Sequence, residues 1–592
     1  MSALARRTLR AVLASGLAAA AVIWPAGAPA GAAVAATVSV DFTKPIRTIS
    51  PADFGVSITG YGEGSYITND SKHRDHLRKL GVGRMRIELH YQEPGNHASP
   101  IVCGGYKCAT EVTGDAWIAA IRDLGAEPVV ILQVDGRQTA EVNRDDAVAL
   151  YRHFAATGRP LQRFILGNEL NCACTPDKPE MPAAEYTRRF TMIADALHAE
   201  NPAVKVGGPA TAWNDLDHIR ALLQGAGDRV DFLDYHDYGN GDEPITDEKL
   251  LGEVIRSYET DIKQVSGLAE SILGHPIPLQ IGEFNSDFKD DDGHRTLTHF
   301  NTVWGAAALG QMLHAGAGAF QYGDKNGQLG LTSTKGEGGI PRSDPLPIYH
   351  GIGMYTGEGL FRPFGTTIVQ AGATSDKLHV FASDHAKNVV MVNVGTEPVE
   401  AALALTGVTA GTAAIWRSTS DAWVPHKTGT AAIAAGKSTV TLPPGSVTTL
   451  VIDQQGLSAT YFDNLDLTGP KVSRIDATVN FDWGSGGPDP AIAPDTFSAR
   501  WTGKVVADRA ETYTFITTSD DGVRLWVDGT LLVDNWTDHS KRDDTGQIAL
   551  SAGAHDITME FYDKGYDAIA ELRWSSPSIP RQIIPADKLL AG

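Results

Sequence analysis

Basic residues are scarce in this sequence relative to acidic ones. The 592 residues include 50 Lys and Arg against 71 Asp and Glu, which gives a formal net charge of -21 at pH 7. A chain this acidic repels phosphate backbones and anionic lipid head groups. The shortage argues against a nucleic-acid-binding surface and against adhesion to anionic membranes, and it sets no limit on a neutral sugar ligand.

Several motifs are absent as well. After residue 36 no apolar run is long enough to span a membrane. Neither His-Glu-x-x-His nor Gly-x-Ser-x-Gly occurs, and no other constellation supports a protease or a nuclease. The remaining composition, 42% hydrophobic and 20% charged, is typical of folded domains, and the length predicts three or four of them.

Residues 1–36 have the pattern of a secretory signal peptide. A positively charged start is followed by a short apolar stretch from Ala11 to Trp24. Small residues then lead to Ala33-Val34-Ala35, an A-x-A-type cleavage site. We therefore expect a secreted, extracellular protein.

Strand and helix patterns alternate between residues 51 and 358. Eight short apolar runs are separated by amphipathic helical patterns such as Ala183–Glu200. Such alternation is typical of a parallel sheet covered by helices, and eight repeats predict a (β/α)8 TIM barrel. We assign 51–358 to this barrel and expect it to be the catalytic domain.

Two buried strands of this barrel end in a glutamate. The run that begins at Phe164 leads to Asn168-Glu169, and the run that begins at Pro278 leads to Glu283. Because the C-terminal ends of barrel strands form the active-site rim, two such glutamates can face each other across the mouth. That arrangement suits cleavage of a glycosidic bond by two carboxyl groups. For either residue alone, the alternative is a helix-entry position.

Polar residues on two further strands are predicted to reach the same rim. Alternation along the second barrel strand puts Arg84, Arg86 and Glu88 on one face, and an inward polar face requires partners. Arg86 or Arg84 is therefore a candidate partner for a catalytic carboxylate, with an ordinary salt bridge to Glu88 as the alternative. His236 and Tyr238, two residues apart, share one face of another strand end.

Four cysteines in an exported chain are expected to be oxidised. Cys103 and Cys108 fall in one predicted loop, and Cys172 and Cys174 follow the strand that ends in Glu169. Because a Cys172–Cys174 bridge would close a very tight ring, we expect at least one bridge between the two loops. A Cys103–Cys108 bridge and a metal site are the alternatives.

From residue 359 onward the pattern is all-β. Short strands separated by Gly, Thr and Pro predict a β-sandwich over 359–454, which an N-terminal strand within 37–50 is expected to join. A last all-β domain, 455–592, is rich in aromatic residues and turns. Apolar residues alternate along 523–527 before an Asp-Gly hairpin turn.

The motifs Leu166-Gly167-Asn168-Glu169, Gly207-Gly208-Pro209-Ala210 and Ile281-Gly282-Glu283-Phe284-Asn285 resemble those of the clan A retaining glycoside hydrolases. The nearest is family 39, which includes β-xylosidases and α-L-iduronidases, and families 51 and 79 are alternatives. The resemblance spans about residues 40–450. Family 39 has Trp-Asn-Glu-Pro where this chain has Gly167 and Leu170 around Asn168-Glu169, and this departure leaves the sugar open.

The resemblance implies a role for each site residue and no cofactor for catalysis. Glu169 would be the general acid/base and Glu283 the nucleophile of a double displacement. Arg86 would keep the nucleophile ionised, because a cation favours the charged form of a nearby carboxyl group. The remaining implied substrate-binding residues are Asn168 at the sugar 2-hydroxyl, His236, and Tyr238 bonded to Glu283.

The stretch Ser519–Gly529 resembles the signature of the domain named after anthrax protective antigen (PA-fourteen). In lectin-like relatives a pair of aspartates, here Asp520 and Asp521, binds calcium, which binds sugar hydroxyls in turn. Calcium suits clustered oxygen ligands of this kind. The resemblance implies a carbohydrate-binding domain with a calcium site, and the alternative is that the pair only forms a turn.

Together these features predict a secreted retaining glycoside hydrolase acting on a polysaccharide or oligosaccharide. Long loops after the second and fourth barrel strands would narrow the cleft to a pocket, which favours exo-action on a terminal pentose such as xylose or arabinose. The alternative is a non-catalytic carbohydrate-binding or adhesion protein with an inactive barrel. The joint presence of Glu169, Glu283, Asn168, Arg86 and Tyr238 favours the enzyme, since a decayed barrel is expected to lose at least one.

Overall fold

The computed structural model describes most of the chain after the predicted signal. It covers residues 33–591 except 60–65, 93–100, 105–108, 133, 135, 137, 175–179, 242–244, 290–293 and 385, and the side chains of 92 and 101–111. Residues 1–32 of the predicted signal, Cys108, the side chain of Cys103 and much of the loop after the second barrel strand therefore lie outside the described residues. No helix among the residues described is long and apolar enough to cross a membrane.

Eight parallel strands close into a barrel. The strand Phe54–Ser57 pairs with both Arg84–Gln92 and Ala317–Tyr322, and these pairings close the ring. Strands are numbered along the whole chain. The barrel strands are β2 (Phe54–Ser57), β3 (Arg84–Gln92), β6 (Glu127–Leu132), β7 (Arg163–Leu166), β8 (Lys205–Thr211), β9 (Phe232–His236), β10 (Leu279–Phe284) and β11 (Ala317–Tyr322). The predicted (β/α)8 architecture is thus present.

A short hairpin extends one barrel strand. β4 (Ile101–Gly104) pairs antiparallel with β3, and β5 (Ala109–Thr113) pairs with β4. The sequence predicts a loop around Cys103, whereas the structure places this residue in β4, opposite His90. The segment forms strands because its backbone pairs with the C-terminal end of β3.

Helices follow the barrel strands, and their apolar faces share one core with the strands. Capping follows from the sequence: the side chains of Thr113, Thr139 and Asp215 accept hydrogen bonds at helix starts, and Gly81 and Gly274 adopt positive φ at helix ends. The helices are Tyr66–Asn69, Ser71–Leu80, Gly114–Asp123, Ala140–Ala156, Ala183–Glu200, Leu216–Ala226, Asp247–Lys249, Ile255–Leu273, His299–Ala315 and Pro347–Thr356.

One strand before the barrel and the eight strands that directly follow it form one closed sheet of nine members. Its order is β1-β12-β13-β14-β19-β16-β17-β18-β15. The ranges are β1 (Val34–Thr48), β12 (Thr367–Ala373), β13 (Leu378–Asp384), β14 (Asn388–Asn393), β15 (Val399–Thr406), β16 (Ala410–Thr419), β17 (Ala422–Ala434), β18 (Lys437–Leu442) and β19 (Ser446–Gln454).

This closed sheet differs from the predicted sandwich of two separate sheets. β1 is 15 residues long and pairs antiparallel with β12, with register shifts between Asp41 and Pro45 and between Pro45 and Arg47. Bulges bend a strand, so one long strand can take part in two layers and join them. β1 also begins at Val34, inside the predicted signal segment, because Ala36 continues the alternation of buried residues along the strand.

The C-terminal domain belongs to a second compact unit, which contains residues 405–414, 430–438 and those from 452 onward. Two sheets enclose its aromatic core, in which the buried Trp501 donates a hydrogen bond to Asp476 Oδ2 at 2.8 Å. The strands are β20 (Leu457–Phe462), β21 (Val472–Asp476), β22 (Asn480–Gly484), β23 (Phe497–Ala507), β24 (Glu511–Asp520), β25 (Val523–Val527), β26 (Thr530–Asn535), β27 (Arg542–Leu550), β28 (Gly553–Asp563), β29 (Ala568–Ser576), β30 (Ile579–Ile583) and β31 (Leu589–Ala591).

The interior of the barrel contains an apolar cluster that supports the polar residues near its mouth. Phe320 on β11 is fully buried there beside Ile131, Ile165 and Phe232. A Cβ atom on Gly55 of β2 would lie 2.3 Å from the Phe320 ring, so this ring requires a glycine on the neighbouring strand. The cluster is tightly packed, and truncation of either of its two phenylalanines leaves a cavity.

We therefore expect Phe320→Ala to lower the free energy of unfolding by about 3–5 kcal/mol, the range for a buried phenylalanine replaced by alanine. Calorimetry on the full chain measures the shift of the transition assigned to the barrel. Val424→Ala, at a side chain that is 57% exposed, is the control and should change stability by no more than about 0.5 kcal/mol. A loss below about 1 kcal/mol at Phe320 would contradict the packing described.

Candidate active site

The two predicted glutamates lie close together at the barrel mouth. Glu169 follows the end of β7, and Glu283 is the penultimate residue of β10. A carboxylate oxygen of each and one ring nitrogen of His236 all lie within 4.8 Å of one another. The side chains of Glu169 and Glu283 are 25% and 11% exposed, so both remain accessible to a small molecule.

The backbone around Glu169 is held in an unfavourable conformation. Glu169 has φ of 52° and Ala210, at the end of β8, has φ of 50°. The Glu169 N–H donates to the Ala210 carbonyl oxygen at 2.8 Å, which links the two strained residues. Left-handed φ is costly for residues other than glycine, and such strain is concentrated at functional sites. The strand end is thus shaped to present this glutamate.

Glu283 is positioned by a different device, an irregularity in the sheet. The register of β10 shifts against β9 between Ile281 and Glu283, and against β11 between Ile281 and Phe284. The shift places Glu283 opposite His236. A bulge turns a side chain out of the regular alternation, and bulges are frequent beside active sites.

Arg86 and Tyr238 both donate hydrogen bonds to Glu283. Arg86 Nη1 lies 3.1 Å from Glu283 Oε1, and the Tyr238 hydroxyl lies 2.7 Å from Oε2. Arg86 is fully buried. Burial lowers the pKa of Arg86, but the charges of Asp234 and Glu283 outweigh it and raise that pKa, so the guanidinium stays charged. Glu283 therefore faces a permanent cation and a hydroxyl donor.

This geometry decides between the two arginines. Arg84 Nε donates to Glu127 Oε2 at 2.7 Å, and Arg86 bonds the strand-end glutamate instead. The alternative of an ordinary salt bridge with Glu88 is therefore not the arrangement of Arg86. Asn168 joins the same group, because Arg86 Nη2 donates to its side-chain oxygen at 3.4 Å.

His236 bridges the two glutamates, and Arg86 fixes which of its nitrogens carries the proton. Arg86 Nη2 lies 3.2 Å from His236 Nε2, and a guanidinium only donates, so Nε2 accepts. The neutral ring therefore carries its proton on Nδ1, which lies 2.8 Å from Glu169 Oε1 and 3.4 Å from Glu283 Oε2. Burial lowers the pKa of His236, but the charges of Glu283 and Glu169 outweigh it and raise that pKa.

Four neighbours of this group were not singled out from the sequence. Ser57 at the end of β2 accepts a hydrogen bond from Arg86 Nη1 at 3.0 Å, and Tyr322 at the end of β11 stacks edge-on with Tyr238. Both are the last residues of barrel strands, a position that could have indicated them. Asp234 and Gln280 lie deeper, within apolar runs where no positional signal marks them.

The disulfide differs from the expected link between loops. Cys172 pairs with Cys174, and their Cα atoms are 5.1 Å apart, within the ordinary range for a bridge. The bridge is therefore local to the loop that follows Glu169. The separation of two residues suggested a ring too tight to form, but the local backbone brings the two Cα atoms to bonding distance.

An acidic cluster lies at one edge of the C-terminal domain. The predicted pair Asp520-Asp521 accepts backbone hydrogen bonds: Asp521 from His539 and Lys564 at 2.9 and 3.0 Å, and Asp520 from Lys541 at 2.9 Å. Asp563 is fully buried beside them, and neither of its carboxylate oxygens has a well-formed hydrogen bond among the described residues.

The calcium site expected at this cluster stays a prediction. Burial and the charges of Asp521, Asp495 and Asp520 raise the pKa of Asp563 to about 7. Calcium prefers several carboxylate oxygens, and a bound cation relieves the repulsion between them. Asp520 and Asp521 are the predicted ligands, and the neighbouring Asp563 was not singled out from the sequence.

Comparison of the fold defines the class of protein that the barrel resembles. An α-L-arabinofuranosidase from Thermotoga maritima, solved with arabinose, covers 71% of this chain and 100% of its own, with 16% identity and a TM-score of 0.55. A family 30 subfamily 8 xylanase from Clostridium acetobutylicum covers 70% and 99%, with 15% identity and a TM-score of 0.50. The chain therefore contains a glycoside hydrolase fold.

The C-terminal domain matches a known domain family. Residues 453–588 match the PA14 domain. In the same region, the anti-sigma-I factor RsgI3 of Acetivibrio thermocellus is 50% identical over 135 residues, which are 23% of this chain and 21% of that protein. The chain thus spans about a fifth of the length of this curated relative.

The raised pKa of Asp563 predicts a pH-dependent stability of the C-terminal domain without calcium. With a folded pKa of about 7 and an ordinary value near 3.9, the stability contribution is present below about pH 4 and is lost as the pH rises through 7. At pH 8, Asp563→Asn should therefore stabilise the calcium-free domain by on the order of 2 kcal/mol, with no gain at pH 4. Calorimetry in EDTA measures this difference.

The control is Asp534→Asn, at an exposed aspartate on β26, which should leave the pH dependence unchanged. Equal destabilisation by Asp563→Asn at both pH values would show that the carboxylate of Asp563 is not under repulsion.

Proposed function

We propose that this protein is a retaining glycoside hydrolase that uses Glu283 as nucleophile and Glu169 as general acid/base. The observation that carries the proposal is the separation of the two carboxylates, whose nearest oxygens lie within 4.8 Å. Inverting enzymes need about 6.5–9.5 Å between their carboxyl groups to admit a water molecule, and retaining enzymes about 5–5.5 Å. The short separation supports direct attack by one carboxylate.

In the first step Glu283 attacks the anomeric carbon while Glu169 protonates the departing glycosidic oxygen. The bond from carbon to the leaving oxygen breaks as the glycosyl–Glu283 ester forms. Arg86 and Tyr238 support Glu283 in this role, because their hydrogen bonds favour the ionised carboxylate. As the ester forms, the charge on Glu283 disappears and the Tyr238 hydroxyl becomes available to the sugar ring.

In the second step Glu169, now ionised, removes a proton from a water molecule. The water oxygen attacks the anomeric carbon from the face opposite the bond to Glu283, and the Glu283 carboxylate leaves. The His236 Nδ1–H donates to Glu169 at 2.8 Å and stabilises this ionised state between the steps. Because Arg86 makes Nε2 an acceptor in the neutral ring, the Nδ1–H of His236 can supply that hydrogen bond whether or not the ring is charged. Asn168 lies beside Arg86, where its amide can bind a sugar hydroxyl.

The proposed substrate is a glycan that contains a pentose. The proteins of similar fold include one described as an α-L-arabinofuranosidase and one as a xylanase. With an acidic chain and the predicted signal segment, a neutral plant-type polysaccharide outside the cell is the substrate that suits this protein. Within the clan A resemblance, the substitutions at Gly167 and Leu170 leave xylose and arabinose as the sugars to test first.

A second proposed function, calcium-dependent carbohydrate binding, belongs to the C-terminal domain. The observation that favours it is the buried carboxylate of Asp563 beside Asp520 and Asp521, with no well-formed hydrogen bond among the described residues. A bound calcium ion would supply open coordination positions for sugar hydroxyls. Tyr566, three residues further along the chain, is 92% exposed. Such a ring can stack on the apolar face of a sugar.

Loss of the nucleophile tests the catalytic proposal. We expect Glu283→Ala to reduce hydrolysis of nitrophenyl xylosides or arabinosides by about a thousandfold or more, because no covalent intermediate can form. Azide should restore cleavage and yield a glycosyl azide of inverted configuration, since it attacks the substrate directly. Product configuration is read by NMR.

Glu169→Ala is the matched variant with the opposite expectation. Azide then attacks the glycosyl–Glu283 ester and should give a product of retained configuration. Glu253→Ala, at a side chain that is 72% exposed, is the control and should behave as wild type. Hydrolysis by Glu283→Ala at the wild-type rate would refute the nucleophile assignment, and a wild type inactive on every pentoside and on xylan and arabinan would favour the non-catalytic alternative.

The binding proposal predicts calcium-dependent retention on insoluble xylan or arabinan. In the Glu169→Ala/Glu283→Ala background, which prevents turnover, EDTA or Asp521→Asn should abolish the part of the binding that needs the cluster. Tyr566→Ala should weaken binding by about 2- to 12-fold, as expected from the loss of one aromatic contact. Binding that is indifferent to calcium and to Tyr566 would contradict this second function.

A further inference from the structure

A fully buried aspartate lies directly beneath the catalytic residues. Asp234 is on β9, two residues before His236 and on the same face of the strand. In the parallel pairing of β9 with β10 it lies opposite Gln280, whose side-chain amide donates to Asp234 Oδ2. The other oxygen, Oδ1, accepts no hydrogen bond from the described residues and lies 3.9 Å from His236 Nε2.

The adjacent strand is shaped to admit this carboxylate. A Cβ atom on Gly282 of β10 would lie 2.4 Å from Asp234 Oδ1, so any other residue there would collide with it. Gly282 also immediately precedes Glu283, and its carbonyl oxygen accepts a hydrogen bond from Arg86 Nη1. Gly282 therefore both leaves space for the Asp234 carboxylate and adjoins Glu283 in β10.

Asp234 is also an electrostatic partner of Arg86. Its charge and that of Glu283 together raise the pKa of the Arg86 guanidinium against the effect of burial. A buried charge without a partner is costly, so the charges of Glu283 and Asp234 stabilise Arg86 in its buried position. Arg86 in turn directs one nitrogen to Glu283 and the other to His236.

We infer that Asp234 is a positioning residue for the catalytic reaction: it lies 3.9 Å from the same His236 nitrogen that accepts from Arg86, and its charge sets the charge balance of Glu283, His236 and Glu169. The inference rests on the proposed function, since it concerns the same site. Asp234 touches no substrate and acts through Arg86 and His236. A neutral residue in its place would leave one cation facing one buried carboxylate instead of two.

The test is Asp234→Asn, which keeps the shape and removes the charge. We expect kcat to fall about tenfold or more while KM changes by no more than about threefold, because the loss concerns the transition state and not the bound sugar. Both limbs of the pH profile of kcat/KM should move to lower pH, since protons leave neighbouring groups more readily once a nearby negative charge is removed. A merely structural role would lower the unfolding temperature and leave both limbs in place.

Several titratable and charged groups face Asp234 or His236 and contribute to that profile. They come from several elements: Arg86 on β3, Glu169 after β7, Tyr186 on the helix Ala183–Glu200, His236 on β9, Tyr238 after β9 and Glu283 on β10. All of them remain in Asp234→Asn, so the shift isolates the charge of Asp234.

A second readout does not require activity. Ring-nitrogen NMR follows the titration of His236, with its signals assigned by their loss in His236→Gln. In Asp234→Asn this titration should move to lower pH, because the carboxylate 3.9 Å from Nε2 is gone. The matched control is Asp231→Asn, at the aspartate that precedes the same strand and bonds Lys205 at 2.8 Å, and it should leave the profile and the titration unchanged.

If Asp234→Asn does not fold, Gln280→Met supplies the test. It removes the donor to Asp234 Oδ2 at similar volume, which disfavours the ionised carboxylate, and it should move the same readouts in the same direction by less.

Unchanged kcat, pH profile and His236 titration in a folded Asp234→Asn, with an active wild type, would overturn the inference and leave the proposed function intact. An inactive wild type in which Asp234→Asn still shifts the His236 titration would overturn the proposed function and leave the effect of Asp234 on His236 intact.

Discussion

A guanidinium buried inside the barrel is the constraint on which the site depends. Arg86 is fully buried, and its charge cannot be lost, so the structure must surround it with anions and acceptors. It does so with Glu283, Asp234, the Ser57 hydroxyl and His236 Nε2. Two of these contacts have a further consequence: Glu283 receives a charged donor, and the neutral His236 ring must carry its proton on Nδ1. The position of one cation therefore affects Glu283 directly and Glu169 through His236.

The two glutamates reach this cation by different distortions of the backbone. Glu169 occupies a left-handed conformation after β7, and Glu283 lies at a register shift within β10. Each distortion costs free energy locally, and the packed barrel below compensates for it. Regular strands would direct successive side chains alternately inward and outward, so neither carboxylate would meet the other at this distance. The short separation that supports a covalent intermediate is thus a consequence of irregularity at two strand ends.

The barrel and the meeting of Glu169 and Glu283 at its mouth could be predicted because both depend on local pattern. Apolar runs ending in Asn168-Glu169 and in Glu283 mark strand ends, whereas alternation left Arg84 and Arg86 as alternatives. The closed nine-stranded sheet was missed because bulges within β1 leave no reliable trace in composition, and the pairing of Cys172 with Cys174 depended on a backbone shape that spacing alone does not determine. Asp234 was missed because an aspartate within an apolar run is interpretable only once its partners on the neighbouring strand, Gln280 and Gly282, are known.

The acidic cluster of the C-terminal domain presents the same physical problem without the same solution. In the barrel, buried carboxylates face a guanidinium that the chain itself provides. In the C-terminal domain, the described hydrogen bonds to Asp520 and Asp521 come from backbone N–H groups. Burial and the neighbouring aspartate charges raise the pKa of Asp563 to about 7. Backbone dipoles offset part of a negative charge but not several charges at once. A site of this kind is completed either by protons or by a cation from solution. The carboxylates at the barrel mouth thus face a cation that the chain provides, whereas the described hydrogen bonds to Asp520 and Asp521 come from backbone N–H groups.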